Sequence, residues 1–307
     1  MAVTKQAGLA MVIVLWVISL LTIMAGSFAL TMRREVTVIS AVKDNAVLSA
    51  LAETGVTLAQ QMLFINDQDK RWVADGRIYQ LNYQDTDIRV RLFSESGKIN
   101  INKADEALLT KMMESTELEM DEQQALVSAI LDWRDPDDLI HLNGAEKDEY
   151  ENAGLAYQPS NNEFQRVDEL RMVLGMSNEI YQQIQPLVTV YSNQAEVDLD
   201  VASKEVIQAI GNIEPEMLDD FIQQRTDNVA GTASGGNEQS AYTIISQAKL
   251  NDDIIAGIKV TFKKANKEDG ESPFQIVSWQ QAEQKQSLFN DDMTQLLVTE
   301  DEPENRY

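Results

Sequence analysis

A chain of 307 residues with 44% apolar content and a net charge of -25 is long enough for about two folded parts with cores of their own, and its acidity opposes nonspecific binding to nucleic acid or anionic lipid. It holds no cysteine and one histidine. That removes disulfides, thiolate ligands and a cysteine nucleophile, and it leaves almost nothing for zinc or a Ser-His triad.

From Gln6 to Met32 no residue is charged. The run exceeds a secretory h-region and suffices for a spanning helix, which needs about 20 apolar residues. Ser27-Phe28-Ala29 has the small-x-small form of a signal-peptidase site, so the competing reading is a long signal peptide cut after Ala29. Lys5 and the amino terminus before the run are balanced by Arg33 and Arg34 after it, so charge does not orient it. Ile39, Val42, Ala46 and Ala50, then Leu51, Gly55, Leu58 and Met62, recur at helical spacing and predict one helix continuing out of the membrane.

Tyr79, Leu81 and Tyr83 alternate with Gln80 and Asn82, and Ile88, Val90 and Leu92 with Arg89 and Arg91, a hairpin pattern across Gln84 to Asp87. Past Gly97 the period becomes helical, as in Leu126, Ile130 and Trp133, with Asp121 as the expected N-cap, and helices dominate to about Arg225. Strand character returns after the Gly/Ser/Thr-rich stretch Gly231 to Asn237, at Ile258 to Phe262 and Phe274 to Trp279. An order of helix, strands, helices, strands predicts an α+β fold in which a helical domain is inserted into a small sheet domain. The last residues, with Glu300-Asp301-Glu302-Pro303-Glu304, read as a disordered acidic tail.

An internal echo links Ile99-Asn100-Ile101-Asn102-Lys103-Ala104 before Leu108-Leu109 with Val197-Asp198-Leu199-Asp200-Val201-Ala202 before Val206-Ile207. Each copy reads as a short extended lead into a helix, as in helix-hairpin-helix modules. The neighbouring acids would repel phosphate and no basic patch with aromatics accompanies them, so a packing repeat is favoured over DNA binding.

The segment with most chemistry runs Asp132-Trp133-Arg134-Asp135-Pro136-Asp137-Asp138 and on to Gly144-Ala145-Glu146-Lys147-Asp148. Pro136 should end the helix near Trp133 and leave several carboxylates on irregular backbone. Such crowding suits calcium, which accepts six to eight oxygens in a flexible loop; the bland alternative is a solvated acidic loop. The spacing is not an EF-hand. A carboxylate pair for glycoside hydrolysis finds no sugar-stacking aromatics nearby, and His141 reads as a surface or packed histidine.

Lys5-Gln6-Ala7-Gly8 followed by Leu9-Ala10-Met11-Val12-Ile13 resembles a type IV prepilin leader. Together with the acidic loop, Asn161, Phe164, Asp168-Glu169-Leu170 and Gly175-Met176, the chain is similar to the K minor pseudopilin family of type II secretion systems. The resemblance implies cleavage by prepilin peptidase between Gly8 and Leu9, N-methylation of Leu9 and a cytoplasmic N-terminus. Most pilin-like chains carry glutamate where Ile13 stands here, and its lack is a feature of this tip subunit. A carboxylate in the bilayer is costly unless a neighbouring subunit pairs it.

The implied organisation is a leader over 1-8, a transmembrane helix over 9-32, its periplasmic continuation over 33-66, pilin-like α/β halves over 67-97 and 231-285, an inserted all-α, helix-hairpin-helix-like domain over 98-230, and an acidic tail over 286-307. The implied function is structural and not enzymatic. The chain would cap the pseudopilus and help initiate its assembly, with the I and J minor pseudopilins, prepilin peptidase, other inner-membrane secretion components and the inner membrane as partners and no nucleic acid. Calcium would be held by Asp132, Asp135, Asp137, Asp138, Glu146 and Asp148. The alternatives are a periplasmic calcium-dependent enzyme released by signal peptidase and a membrane-tethered DNA-uptake protein.

Overall fold

The computed structural model describes residues 7–67, 70–211, 217–225 except 219 and 223, 241–250, 254–264, 274–282 and 287–298. Helix α1 runs unbroken over Ala7–Leu63, 57 residues, or about 85 Å at 1.5 Å per residue. No proline interrupts it. The hydroxyls of Thr22, Thr31, Thr37, Thr54 and Thr57 each donate to a carbonyl four residues back, so they stay satisfied on the helix itself.

The helix has two kinds of surface. Its apolar residues from Met11 to Val42 are exposed, and among the described residues it is the one helix long and apolar enough to cross a membrane. From Leu48 the face changes: Leu48, Ala52, Val56, Ala59 and Leu63 are buried, spaced by three or four residues so that they share one stripe.

That stripe packs on a five-stranded antiparallel sheet of order β1-β2-β5-β6-β7, made of β1 (Asp75–Tyr83), β2 (Thr86–Ser94), β5 (Ala241–Leu250), β6 (Ile254–Lys264) and β7 (Phe274–Gln281). Val90, Leu92, Ile244, Val260 and Phe262 meet α1 there. Gly55 lets the helix approach closely, because a Cβ would collide with Ser246 Oγ and stand 3.1 Å from methyls of both Ile88 and Val90.

Between β2 and β5 the chain leaves to build a helical domain. It comprises β3 (Ile99–Asn100), α2 (Glu106–Glu114), α3 (Met120–Arg134), α4 (Lys147–Asn152), α5 (Asn178–Ile184), β4 (Val188–Thr189) and α6 (Lys204–Gly211). Its separate core includes Ile101, Leu109, Met112, Ile130, Trp133, Tyr150, Phe164, Ile184 and Ile207. β3 and β4 pair in parallel. Only the first copy of the repeat is therefore a strand; Val197 to Ala202 is irregular and leads through a turn into α6.

A seam of buried charge joins the two parts. Arg91 on β2 donates to Glu205 on α6 at 2.5 Å, and Asp75 accepts from Arg77 and from Arg225 at 2.7 and 3.1 Å. Lys98 meets Glu95 at 2.7 Å, and the Thr189 hydroxyl donates to the same carboxylate. Burial alone would raise the Glu95 carboxyl, but Lys98 and Thr189 outweigh it and hold it below the usual range.

Three expectations need correcting. α3 begins at Met120 behind Glu119, whose backbone N–H donates to the Glu122 carboxylate, so Asp121 is inside the first turn and not the cap. β5, in the middle of the sheet, was not expected as a strand. The acidic tail expected from residue 286 is partly folded, with Leu288 buried, a short helical turn over Asp291–Leu296 and a bridge from Leu297 to Ile78 on the β1 edge. The run Glu300 to Glu304 lies outside the described residues.

Gly55→Val should lower stability to denaturant by about 1–3 kcal/mol through overpacking. Gly26→Val, where a Cβ meets nothing within 4 Å, should change it by less than about 0.5 kcal/mol.

Candidate metal site in the inserted domain

The last turn of α3 delivers Asp132, Trp133 and Arg134. Trp133 packs inward on Phe164 and Tyr150, with ring centroids 5.9 and 6.2 Å apart. Arg134 reaches the other way, donating to the carbonyls of Ile101 and Ala104 in the first repeat. Its donors are thus taken by those carbonyls, while Asp135 still acts on its charge.

Asp132 is fully buried and organises the loop around it. Its Oδ1 accepts from the His141 amide at 3.0 Å and its Oδ2 from the Ala145 amide at 2.6 Å. The His141 ring contributes too, with Nδ1 against the same Oδ1. One turn earlier on α3, Ser128 donates to the Leu142 carbonyl at 2.9 Å. The turn from His141 to Gly144 closes with the Gly144 amide donating to the His141 carbonyl at 2.8 Å. Position 144 has to be glycine, because any Cβ would collide with Asp132 Oδ2.

The other acids gather unevenly. Asp135 follows α3 as its C-cap, 3.7 Å from His141 Nδ1. Burial raises its carboxyl, and Asp137 and Asp132 push it further in that direction. Asp137 and Asp138 are exposed; Asp137 accepts from the Leu139 amide and Asp138 from the Asn161 side-chain amide, each at 2.9 Å. Glu146, the N-cap of α4, is buried, and burial followed by repulsion from Asp132, Asp135, Asp138 and Asp137 pushes its carboxyl up to about 7. Asp148 is exposed in the first turn of α4.

Three side-chain oxygens along this loop are buried without a partner: Asp135 Oδ1, Glu146 Oε1 and Asn161 Oδ1. Leaving a buried acceptor unpaired costs about 1–3 kcal/mol, and three hard oxygens beside an acidic cluster constitute a donor set suited to a cation such as calcium. Asn161 adopts φ of 48°, a left-handed conformation that asparagine tolerates better than most residues. One ligand atom each from Asp132, Asp135 and His141 lies within 4.8 Å of the other two. Of the expected ligands, Asp132 and Asp135 come together with His141, while the charges of Asp132, Asp135, Asp137 and Asp138 act on the Glu146 carboxyl. His141, Asn161 and the glycine at 144 are structural parts of the site that spacing of acids alone does not reveal.

Residues 84–193, from the β1-β2 turn to just past β4, match the family described as type II secretion system protein K. The chain is 24% identical over 268 residues to type II secretion system protein K of Klebsiella pneumoniae, covering 80% of this chain and 81% of that protein. It is 26% identical over 246 residues to the Pseudomonas aeruginosa protein of the same name, covering 72% of each. Its fold is similar to that of a chain in the crystal structure of the GspK-GspI-GspJ complex from enterotoxigenic Escherichia coli, with a TM-score of 0.51, 16% identity and coverage of 82% of this chain and 99% of that one. An apolar N-terminal helix, a small antiparallel sheet and an inserted helical domain carrying an acidic loop are thus accompanied by similarity to type II secretion system protein K along most of the chain.

Proposed function

We propose that this chain is the scaffold subunit at the tip of the pseudopilus, that it binds the I and J minor pseudopilins beneath it, and that it helps initiate assembly for export of folded proteins across the outer membrane. The observation that carries the reading is α1, apolar and exposed over its first half and built into the sheet domain over its second. Such a helix offers neighbours a membrane-embedded surface while holding the folded part on one side. The choice of partners is supported by the solved relative, which is a complex with GspI and GspJ. Purified in detergent with the I and J proteins of its own system, the full chain should elute with both as one complex. Elution of an I-J pair with this chain left apart would count against it.

In the same reading the N-terminus is cytoplasmic, the bulk periplasmic and the anchor a single pass through the inner membrane. Prepilin peptidase cuts between Gly8 and Leu9 and leaves α1 on the mature protein, with Leu9 methylated. Ile13 fits a subunit with no neighbour above it, since a carboxylate there would have no amine to pair with. Gly8→Leu should accumulate uncut precursor, read by mass. A wild-type mature protein beginning near Leu30 would instead point to signal peptidase.

Calcium is the proposed structural ion, held by Asp132, Asp135 and Glu146 with the carbonyl oxygen of Asn161 and the rim acids Asp137 and Asp138 in support. It would offset the mutual repulsion of these carboxylates and stabilise only the folded form. At free calcium about 100 times the dissociation constant the gain is about 2.7 kcal/mol, or between about 5 and 10 °C in melting temperature for a domain of this size. Magnesium should do less, because it prefers a strict octahedron and dehydrates reluctantly.

Protons compete with the ion. Glu146 has its ordinary value of 4.5 raised to about 7 on folding, so the stability linked to its bound proton is full below about 4.5 and is lost as pH rises to about 7. Calcium needs the ionised form. Its stabilising shift should therefore be larger at pH 8 than at pH 6, and Asp135→Asn with Glu146→Gln should abolish it at both. A calcium shift that survives in the double variant would leave the segment as a solvated acidic loop.

A further inference from the structure

Within the four residues from Leu139 to Leu142, three large apolar side chains stand open to solvent: Leu139 is 75% exposed, Ile140 51% and Leu142 83%. The backbone beneath them is fixed. The Leu139 amide donates to Asp137 Oδ1 and the His141 amide to Asp132 Oδ1, while the Leu142 carbonyl accepts from Ser128 and the Gly144 amide closes on the His141 carbonyl. The loop thus turns its polar groups back toward α3 and displays its aliphatic ones, the reverse of what solvent alone favours. Apolar side chains grouped on the surface of a folded domain mark a place where another molecule binds, and a backbone already held lowers the ordering cost of binding.

We propose that Leu139, Ile140 and Leu142 form a docking surface for a further protein, one whose contact face is apolar and rimmed by Lys and Arg. Charge selects that occupant. Asp137 and Asp138, beside Leu139, are exposed, and among the described residues neither stands in an ion pair. No Lys, Arg, Trp or Tyr occurs between Asp135 and Ala145. An apolar centre edged by acids is matched by an apolar centre edged by bases, which also speeds encounter.

The same charges disfavour other occupants. A second copy of this chain would set acids against acids across a symmetric contact. A lipid surface is gripped through Lys, Arg and interfacial aromatics, which the loop lacks, and its acids oppose anionic headgroups. The surface is made by the exposed side of the loop and does not depend on what the buried Asp132 and Glu146 hold.

The test uses the untagged full chain in phosphatidylcholine nanodiscs, titrated with two synthetic amphipathic helical peptides that share a leucine face, one rimmed by Lys and the other by Glu. Empty discs correct for uptake by lipid. His141, the single histidine and 43% exposed within the loop, is labelled as a local NMR reporter. The Lys-rimmed peptide should shift its resonances in the wild type and in Met217→Ser, a change at an exposed methionine outside the loop. Leu139→Ser with Leu142→Ser should weaken that peptide at least about tenfold at an unchanged melting temperature, and the Glu-rimmed peptide should leave the imidazole unmoved. Asp137→Asn with Asp138→Asn keeps the leucines and should also weaken the Lys-rimmed peptide; if the leucine variant melts lower than wild type, this pair decides. Equal binding to wild type and variants overturns the inference and reports only the overall acidity of the chain. Equal binding of the two peptides, or an imidazole that neither moves, overturns it as well. So does self-association of the wild type, or its binding to vesicles of phosphatidylcholine with or without phosphatidylglycerol, if the leucine variant abolishes it, since the occupant is then a second copy or a lipid.

Discussion

Everything beyond the sheet depends on one register. Ser94, the last residue of β2, stands opposite Tyr242 near the start of β5, and paired residues in an antiparallel ladder have Cα atoms about 5 Å apart. The chain leaves the sheet and returns at the same place. A helical region with such closely held ends has to close on itself, which is why it owns a core separate from that of α1 and the sheet. Register fixes where the insertion is attached but not how it leans. That is settled by Arg91 with Glu205 and Asp75 with Arg225, since a different tilt would strand buried charges at a cost of about 3–5 kcal/mol each. Gly97 completes the seat, its missing Cβ leaving room for the backbone of Val201 and Ala202.

Two buried glutamates show how differently the fold treats the same side chain. Glu95 at the seam meets Lys98 and Thr189 and is held as an anion, whereas Glu146, buried and facing the charges of Asp132, Asp135, Asp138 and Asp137, is pushed toward neutrality. Among the described residues Lys and Arg pair with the acids of the seam, whereas none forms an ion pair with Asp132, Asp135 or Glu146. Arg134 is near enough in sequence to serve the loop, but its donors are bound to the carbonyls of Ile101 and Ala104. The base of the insertion is therefore held by paired charges, and among the described residues the buried acids of the loop, Asp132 and Glu146, have no such pairing with Lys or Arg.

Much of this is legible in the sequence. The change from an uncharged run to a three-four apolar period marked α1, and alternation marked β1, β2, β6 and β7. β5 escaped because it is central and buried on both faces by unlike neighbours, so that Thr243, Ser246 and Gln247 interrupt its apolar pattern while remaining buried. The C-terminal segment was read by its charge, but it is anchored by the burial of Leu288 and by Phe289 lying under Arg89 and Lys249. In the acidic loop the sequence offered six similar carboxylates. Only the turn at Gly144 makes Asp132 the buried hub and carries His141 back over it, and such a turn is a tertiary fact that spacing cannot express.

The continuity of α1 has a mechanical meaning. A helix with neither proline nor break between its exposed apolar half and the stripe packed on the sheet is built like a push-rod, able to carry axial displacement of one half to the other without lost motion. Slack would need a hinge, and the Gly55 contact with the sheet removes the freedom one would require. Displacement of the first half along the helix axis would therefore be passed to the sheet and to the domain inserted in it.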